Sequence, residues 1–163
     1  MHSFNQLNLS SDSLKILKSL KFENPTPIQE KVIPVALQGN DVMGTAQTGS
    51  GKTLSYILPI VEKLRKNVND KFLILAPTRE LSEQVFSVAK IFLGHGKPFK
   101  AINLIGGKGI FSQINQLKKN PQIIIGTPGR INDLLERKSL SLSKCSIVVL
   151  DEMDRMLDMG FGY

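Results

Sequence analysis

Cys145 is the only cysteine among 163 residues, so no intrachain disulfide can form. A lone cysteine fits a reducing compartment, and its place just before Ile147-Val148-Val149-Leu150 suits a small packed side chain. No apolar stretch approaches the roughly 20 residues of a membrane span. The start, Met1-His2-Ser3-Phe4-Asn5, lacks the basic-then-apolar order of a secretion signal. No membrane association and a cytoplasmic location are therefore expected. His2 and His95 are the only histidines and have no partners at ligand spacing, so no zinc site is implied. There is no fixed-period repeat and no low-complexity tract. Aromatic residues make up 6% of the chain, and no stacking platform for bases is evident. Acidic residues are missing altogether between Glu83 and Asp133, while Lys90, Lys97, Lys100, Lys108, Lys118, Lys119 and Arg130 fall inside that interval.

What is present is ordinary for a soluble domain: 41% apolar and 21% charged residues, with a formal charge of +7. The length suits one domain. The charge favours polyanionic partners, or simply solubility.

Ser10-Ser11-Asp12-Ser13 precedes Leu14, Ile16, Leu17 and Leu20, a capped helix with one apolar face. A second helix is expected from Pro27, kinked at Pro34 and ended by Gly39-Asn40. Residues 41–45 read as a strand, followed by a helix to about Lys66. Further strands are expected at 72–76, 100–105, 123–125 and 147–150. Helices are expected after Thr78, over 110–119, after Pro128 and after Glu152. Strands thus alternate with helices five times, and the strands are continuous apolar runs. Both features predict a mainly parallel sheet covered on both faces, with a ligand beyond the carboxyl ends of the strands.

Ala46-Gln47-Thr48-Gly49-Ser50-Gly51-Lys52-Thr53 sits between an expected strand and an expected helix, the context that makes a P-loop credible. Glycines let successive amides face phosphate oxygens, and the helix N-terminus adds positive potential. Lys52 would reach the β- and γ-phosphates, and the Thr53 hydroxyl would ligate Mg²⁺. Ala46 stands where the general pattern has glycine, and a Gly/Ser/Thr-rich surface loop is the alternative. Asp151 and Glu152 close an apolar strand. Beside a P-loop, Asp151 would hold Mg²⁺ and Glu152 would orient the attacking water; a capped helix start is the alternative. Gly106, Gly107, Thr127, Gly129 and Arg130 combine close backbone approach, hydroxyl and cation, which suits phosphodiester contact. A basic solvated surface is the alternative for the scattered lysines. The missing aromatic platform fits backbone reading better than base reading.

In this order, the residues resemble the first RecA-like domain of the DEAD-box RNA helicases. Phe22 to Gln29, with Phe4 upstream, is similar to the Q motif, with Lys21 in place of the usual glycine. Residues 46–53 match motif I, where the family tolerates alanine at the first position. Pro77-Thr78-Arg79-Glu80-Leu81 matches motif Ia, and Gly106-Gly107 the glycine doublet. Thr127-Pro128-Gly129-Arg130 matches motif Ib, and Asp151-Glu152-Met153-Asp154 motif II, with methionine in place of alanine. The resemblance implies a RecA-like three-layer sandwich, incomplete at the C-terminus, with residues 1–38 as the Q-motif region and 39–163 as a partial ATP-binding domain.

It also implies an ATP-dependent RNA helicase, with ATP and Mg²⁺ as cofactors. Lys52, Asp151 and Glu152 would be catalytic, and Thr53 and Asp151 would hold the metal. Gln29, Phe22 and Phe4 would surround the adenine. Pro77, Thr78, Arg79, Glu80, Gly106, Gly107, Thr127, Pro128, Gly129 and Arg130 would hold one RNA strand by its backbone. A second RecA-like domain, absent from these residues, would be required for activity. The chain alone is expected to bind nucleotide and RNA weakly without unwinding. A non-catalytic nucleotide-binding, RNA-binding or protein-interaction module, or an inactive fragment, is the alternative.

Overall fold

The computed structural model describes residues 3–37, 52–67, 69–94, 99–143 and 145–150, with only the backbone of Val35 and of 146–150. A single 3-10 turn, Phe4–Gln6, leads into α1 (Ser11–Ser19), α2 (Pro27–Leu37) and α3 (Lys52–Lys66). Then β1 (Lys71–Leu75), α4 (Arg79–Leu93), β2 (Ala101–Leu104), α5 (Ile110–Leu117), β3 (Ile123–Gly126), α6 (Pro128–Glu136) and β4 (Cys145–Leu150) follow. The expected strand at 41–45 and the helix after Glu152 lie outside the described residues. Pro34 sits inside α2, and the helix runs through it.

The four strands are parallel, in the order β2-β3-β1-β4. Alternation along them sorts their side chains onto two faces. Phe72, Ile74, Ile123 and Ile125 pack with Leu17, Ile33, Ile57, Leu58 and Phe92 from α1 to α4. Leu73, Leu75, Ile102, Leu104 and Ile124 pack with Leu117, Ile131 and Leu134 from α5 and α6. Helices therefore cover both faces, which is why Phe72 to Leu75 of β1 and Ile123 to Ile125 of β3 are continuous apolar runs.

β2 departs from that expectation. It is the outer strand beyond β3, and its residues alternate between partly and fully buried. Asn103 turns toward α4, where the buried Ser82 hydroxyl donates to its Oδ1. A strand with one neighbour needs less continuous apolar character than a central one. Gly126 is required where it stands: an added Cβ would lie 2.6 Å from the Leu104 carbonyl oxygen and 2.8 Å from Ile131 Cδ1. Cys145 packs against the second core cluster. Burial pushes its thiol above the ordinary value while the Lys71 ammonium pulls it the other way.

The largest polar knot among the described residues of the interior surrounds Glu62. Glu62 of α3, 6% exposed, takes the Ser10 amide on Oε2 at 3.2 Å and the Ser10 and Ser13 hydroxyls on Oε1 at 2.9 and 2.6 Å. Arg65 Nη1 lies 3.7 Å from Glu62 Oε1 and donates to both serine hydroxyls. Its Nη2 donates to the Phe92 carbonyl at 3.2 Å. The knot ties the N-cap of α1 to α3 and to the end of α4. A buried carboxylate is tolerated because every oxygen is answered.

Candidate functional site

The register fixes where the site can be. Leu75 of β1 stands level with Gly126 of β3 and with Leu150 of β4, and Leu104 of β2 is level with Gly126. Pairing continues one step beyond the strands: the Ala76 amide donates to the Gly126 carbonyl at 3.0 Å, and that of Thr127 to Leu104 at 3.1 Å. The carboxyl ends of β1, β2 and β3 therefore deliver Pro77, Gly106 and Thr127 to one edge.

There the expected backbone-contact residues meet. Arg79 opens α4, capped by the Thr78 hydroxyl, which accepts from the Leu81 amide at 3.3 Å. The Arg79 guanidinium sits over Gly107: a Cβ on that glycine would come 2.5 Å from Nη1. Arg79 also lies 3.6 Å from Glu83 one turn along, an exposed pair that contributes little. Arg130, from α6, reaches the same loop. Its Nη1 donates to the Lys108 carbonyl at 3.1 Å and to Gln113 Oε1 at 2.8 Å. Gln113 is 3% exposed and passes the link on, its Nε2 donating to the Ile105 carbonyl at 2.9 Å. Arg79 and Arg130 thus both lie against this loop, Arg79 at Gly107 and Arg130 at Lys108.

The other members divide by exposure. Pro77 is buried; Glu80, Gly106 and Gly129 are exposed; Thr127 and Pro128 are intermediate. Thr127 precedes α6 without a side-chain cap bond, so its hydroxyl is not committed to the helix as that of Thr78 is.

Gly107 carries a φ of +80°, and Gly106 has nothing within 4 Å of an added Cβ. A left-handed backbone costs a side-chain-bearing residue about 1–2 kcal/mol. Gly107→Ala should therefore lower the urea midpoint by that stability and push the Arg79 guanidinium off the loop, while Gly106→Ala should leave the midpoint in place. Equal midpoints for the two variants would contradict this geometry.

Of the residues expected to hold nucleotide, Lys52 and Thr53 are the first two of α3, both partly exposed. A fifteen-residue helix starting on a lysine and a threonine, with no acid in its first turn, has the donor set an anion needs. Ala46 to Gly51, Asp151 and Glu152 lie outside the described residues. In α2, Thr26 and Gln29 form a reciprocal cap. The Thr26 amide donates to Gln29 Oε1 at 2.9 Å, and the Gln29 amide to Thr26 Oγ1 at 3.4 Å. The Gln29 side chain is thereby oriented by the helix start it caps. Phe4 is buried in the core beside Leu7 and Leu9, whereas Phe22 is 46% exposed.

Lys21 explains why glycine is usual at its position. The Phe22 amide donates to Leu17 and the Lys21 amide to Lys18, which closes α1 in a Schellman turn. Lys21 takes the left-handed φ of +62° that glycine adopts without strain.

Two residues at this edge escaped the sequence reading. Gln113 falls on the inward stripe of α5 with Ile110, Ile114 and Leu117; a polar residue at apolar spacing was the available signal. Phe111 lies off that stripe by one helical step and is 73% exposed.

The chain matches a family model described as DEAD/DEAH box helicase over residues 26–163. It is 46% identical over 160 residues to the DEAD-box ATP-dependent RNA helicase CshA of Bacillus subtilis, covering 98% of this chain and 32% of that protein. With CshA of Geobacillus kaustophilus it shares 48% identity over 162 residues, covering 99% of this chain and 34% of that protein. The chain spans about a third of the length of these relatives. A crystal structure of a DEAD box protein from the hyperthermophile Methanococcus jannaschii matches with a TM-score of 0.90 and 44% identity, over 98% of this chain and 44% of that one. The RNA-helicase Prp28 of Chaetomium thermophilum bound to ADP matches with a TM-score of 0.88 and 40% identity, over 99% of this chain and 41% of that one.

Proposed function

The chain belongs to the DEAD/DEAH box helicase family, and on that basis we propose that it forms the nucleotide-gripping and RNA-contacting part of an ATP-dependent RNA helicase. Its sheet and flanking helices are the RecA-like arrangement of the structures it matches. The observation that carries the proposal is the meeting of Arg79 and Arg130 on the Gly107-Lys108 loop at the carboxyl edge of the sheet.

In this reading residues 1–38 form the Q-motif region and 39–163 part of the first RecA-like domain. Lys52 neutralises the β- and γ-phosphates of ATP. Thr53 and Asp151 are the residues that would hold Mg²⁺, and the metal would supply charge neutralisation between the phosphates. Glu152 orients water, and Gln29 reads the adenine edge with Phe22 and Phe4 nearby. Arg79, Gly106, Gly107 and Thr127 to Arg130 grip the RNA backbone, with Pro77, Thr78 and Glu80 shaping that grip. A second RecA-like domain would complete the groove and supply an arginine finger, which raises phosphoryl-transfer rates by about 10³–10⁵. Among the described residues no helix is long and apolar enough to cross a membrane; in this reading the protein works on RNA in the cytoplasm.

Titration of the chain with a fluorescent ATP analogue in Mg²⁺ and with single-stranded RNA tests the proposal. Both should bind. RNA affinity should fall with salt at a log–log slope of about −0.7 for each phosphate neutralised, or about −2 if three cations engage. A chain that binds neither ligand is not this module.

A further inference from the structure

We infer that Phe111 is a base-stacking contact, so that the strand gripped by its backbone at the Gly106-Gly107 loop lays one base on the Phe111 ring. The inference rests on the reading of this edge as an RNA groove and adds a contact to bases that the backbone grip does not contain.

The ring is conspicuous by exposure. Among the described residues Leu20, Phe22, Ile91 and Phe111 are the exposed large hydrophobics, at 36%, 46%, 45% and 73%. Leaving an aromatic ring in water forgoes stabilisation that burial would supply. Core packing does not require phenylalanine here, because α5 is anchored by Ile110, Gln113, Ile114 and Leu117 on its other side.

Position ties the ring to the groove. Phe111 stands in the first turn of α5, directly after the loop, and four residues of chain hold it within roughly 14 Å of Gly107. The connection is braced. Arg130 bonds both the Lys108 carbonyl and Gln113, and Gln113 bonds the Ile105 carbonyl. One network therefore holds both the start of the loop and the helix that carries the ring. A nucleotide held against Arg79 and Gly107 would thus have an exposed aromatic ring within reach of its neighbours along the strand.

The surroundings suit a polyanion with flat bases. Lys108, three residues before Phe111, is exposed, and the sequence from 84 to 132 contains no acid. Cations along a backbone, with an aromatic face offered to a base, are the elements of sequence-tolerant single-strand binding.

The experiment compares wild type, Phe111→Ala and Phe111→Tyr on a single-stranded uridine oligonucleotide and on the same sugar–phosphate chain made abasic. One further oligonucleotide carries 2-aminopurine. Stacking on an aromatic predicts a loss of about 5- to 150-fold in affinity for Phe111→Ala on the normal strand. No loss is expected on the abasic strand, where there is no base to stack. Phe111→Tyr should retain affinity on both. Wild type and Phe111→Tyr should quench 2-aminopurine emission, and Phe111→Ala should not. A ring with a merely structural role would not distinguish abasic from normal RNA. If wild type binds RNA and Phe111→Ala matches it in affinity and quenching, the stacking contact is wrong and the groove stands. If wild type binds no RNA, the groove itself is wrong and the contact falls with it.

Discussion

Glu62→Ala is expected to cost about 3–5 kcal/mol of folding stability, the range for removing one partner of a buried ion pair. The carboxylate answers three donors from the start of α1 and faces Arg65 at 3.7 Å. Their side chains are 8% and 17% exposed, so water cannot fully replace what is lost. Alanine would leave the Arg65 guanidinium without its carboxylate and the Ser10 amide and both serine hydroxyls without that acceptor. At about 2–4 °C per kcal/mol for a chain of this size, the melting temperature should drop by about 6–20 °C. Glu62→Gln keeps an acceptor oxygen and should cost less. The double change Glu62→Leu with Arg65→Met removes both charges and should recover part of the loss, since apolar replacement of a whole buried pair is often neutral. Urea unfolding followed by circular dichroism reads all three variants. A Glu62→Ala midpoint within error of wild type would show that solvent, and not the two serines, solvates this carboxylate.

The second large effect is functional. Lys52→Ala should weaken ATP-analogue binding by at least about thirty-fold while leaving the fold intact. Truncating one member of a hydrogen-bonded charge pair at a binding site costs about 2–5 kcal/mol, and about 1.4 kcal/mol is a factor of ten. Lys52 begins α3, whose first turn holds no acid, and alanine there removes a positive charge from the helix start. Lysine and alanine are both good helix formers, and Lys52 is only partly buried. Loss of binding would therefore not be loss of folding, and the melting curve without nucleotide should overlay wild type. In a protein containing the second domain, the same variant should lose RNA-stimulated ATP hydrolysis. Unchanged nucleotide affinity would remove Lys52 from the phosphate site and leave the P-loop reading without its cation.

Much of the architecture was legible before any coordinates. Continuous apolar runs at 72–76 and 123–125 marked strands covered on both faces, and β1 and β3 are those strands. Thr78 was legible as a cap because a hydroxyl residue preceded acids and an apolar stripe, and it caps α4. The clustering of Arg79, Gly107 and Arg130 followed from parallel strands ending on one edge. β2 was less legible as an edge strand, because Ala101 and Leu104 look as apolar as a central strand would. What local pattern could not carry was the partner choice of polar side chains. Glu62 reads as a solvated helix residue, and only the return of α1 across α3 makes it a buried hub. Gln113 and Arg130 are seventeen positions apart in sequence, so their bond depends on how α5 and α6 lie on one face of the sheet. The exposure of Phe111 was not legible either, because Gly109-Ile110-Phe111-Ser112 fixes no helix phase until α5 lies on the sheet.

The strand order has a consequence for synthesis. β1, made first of the four, pairs with β3 and β4, which leave the ribosome some fifty and seventy-five residues later. During elongation both flanks of an apolar ribbon, Phe72-Leu73-Ile74-Leu75, wait without hydrogen-bonding neighbours. Late-arriving partners of this kind slow folding and leave the nascent chain prone to association. The exposed interval set by this topology ends when β4 pairs with β1.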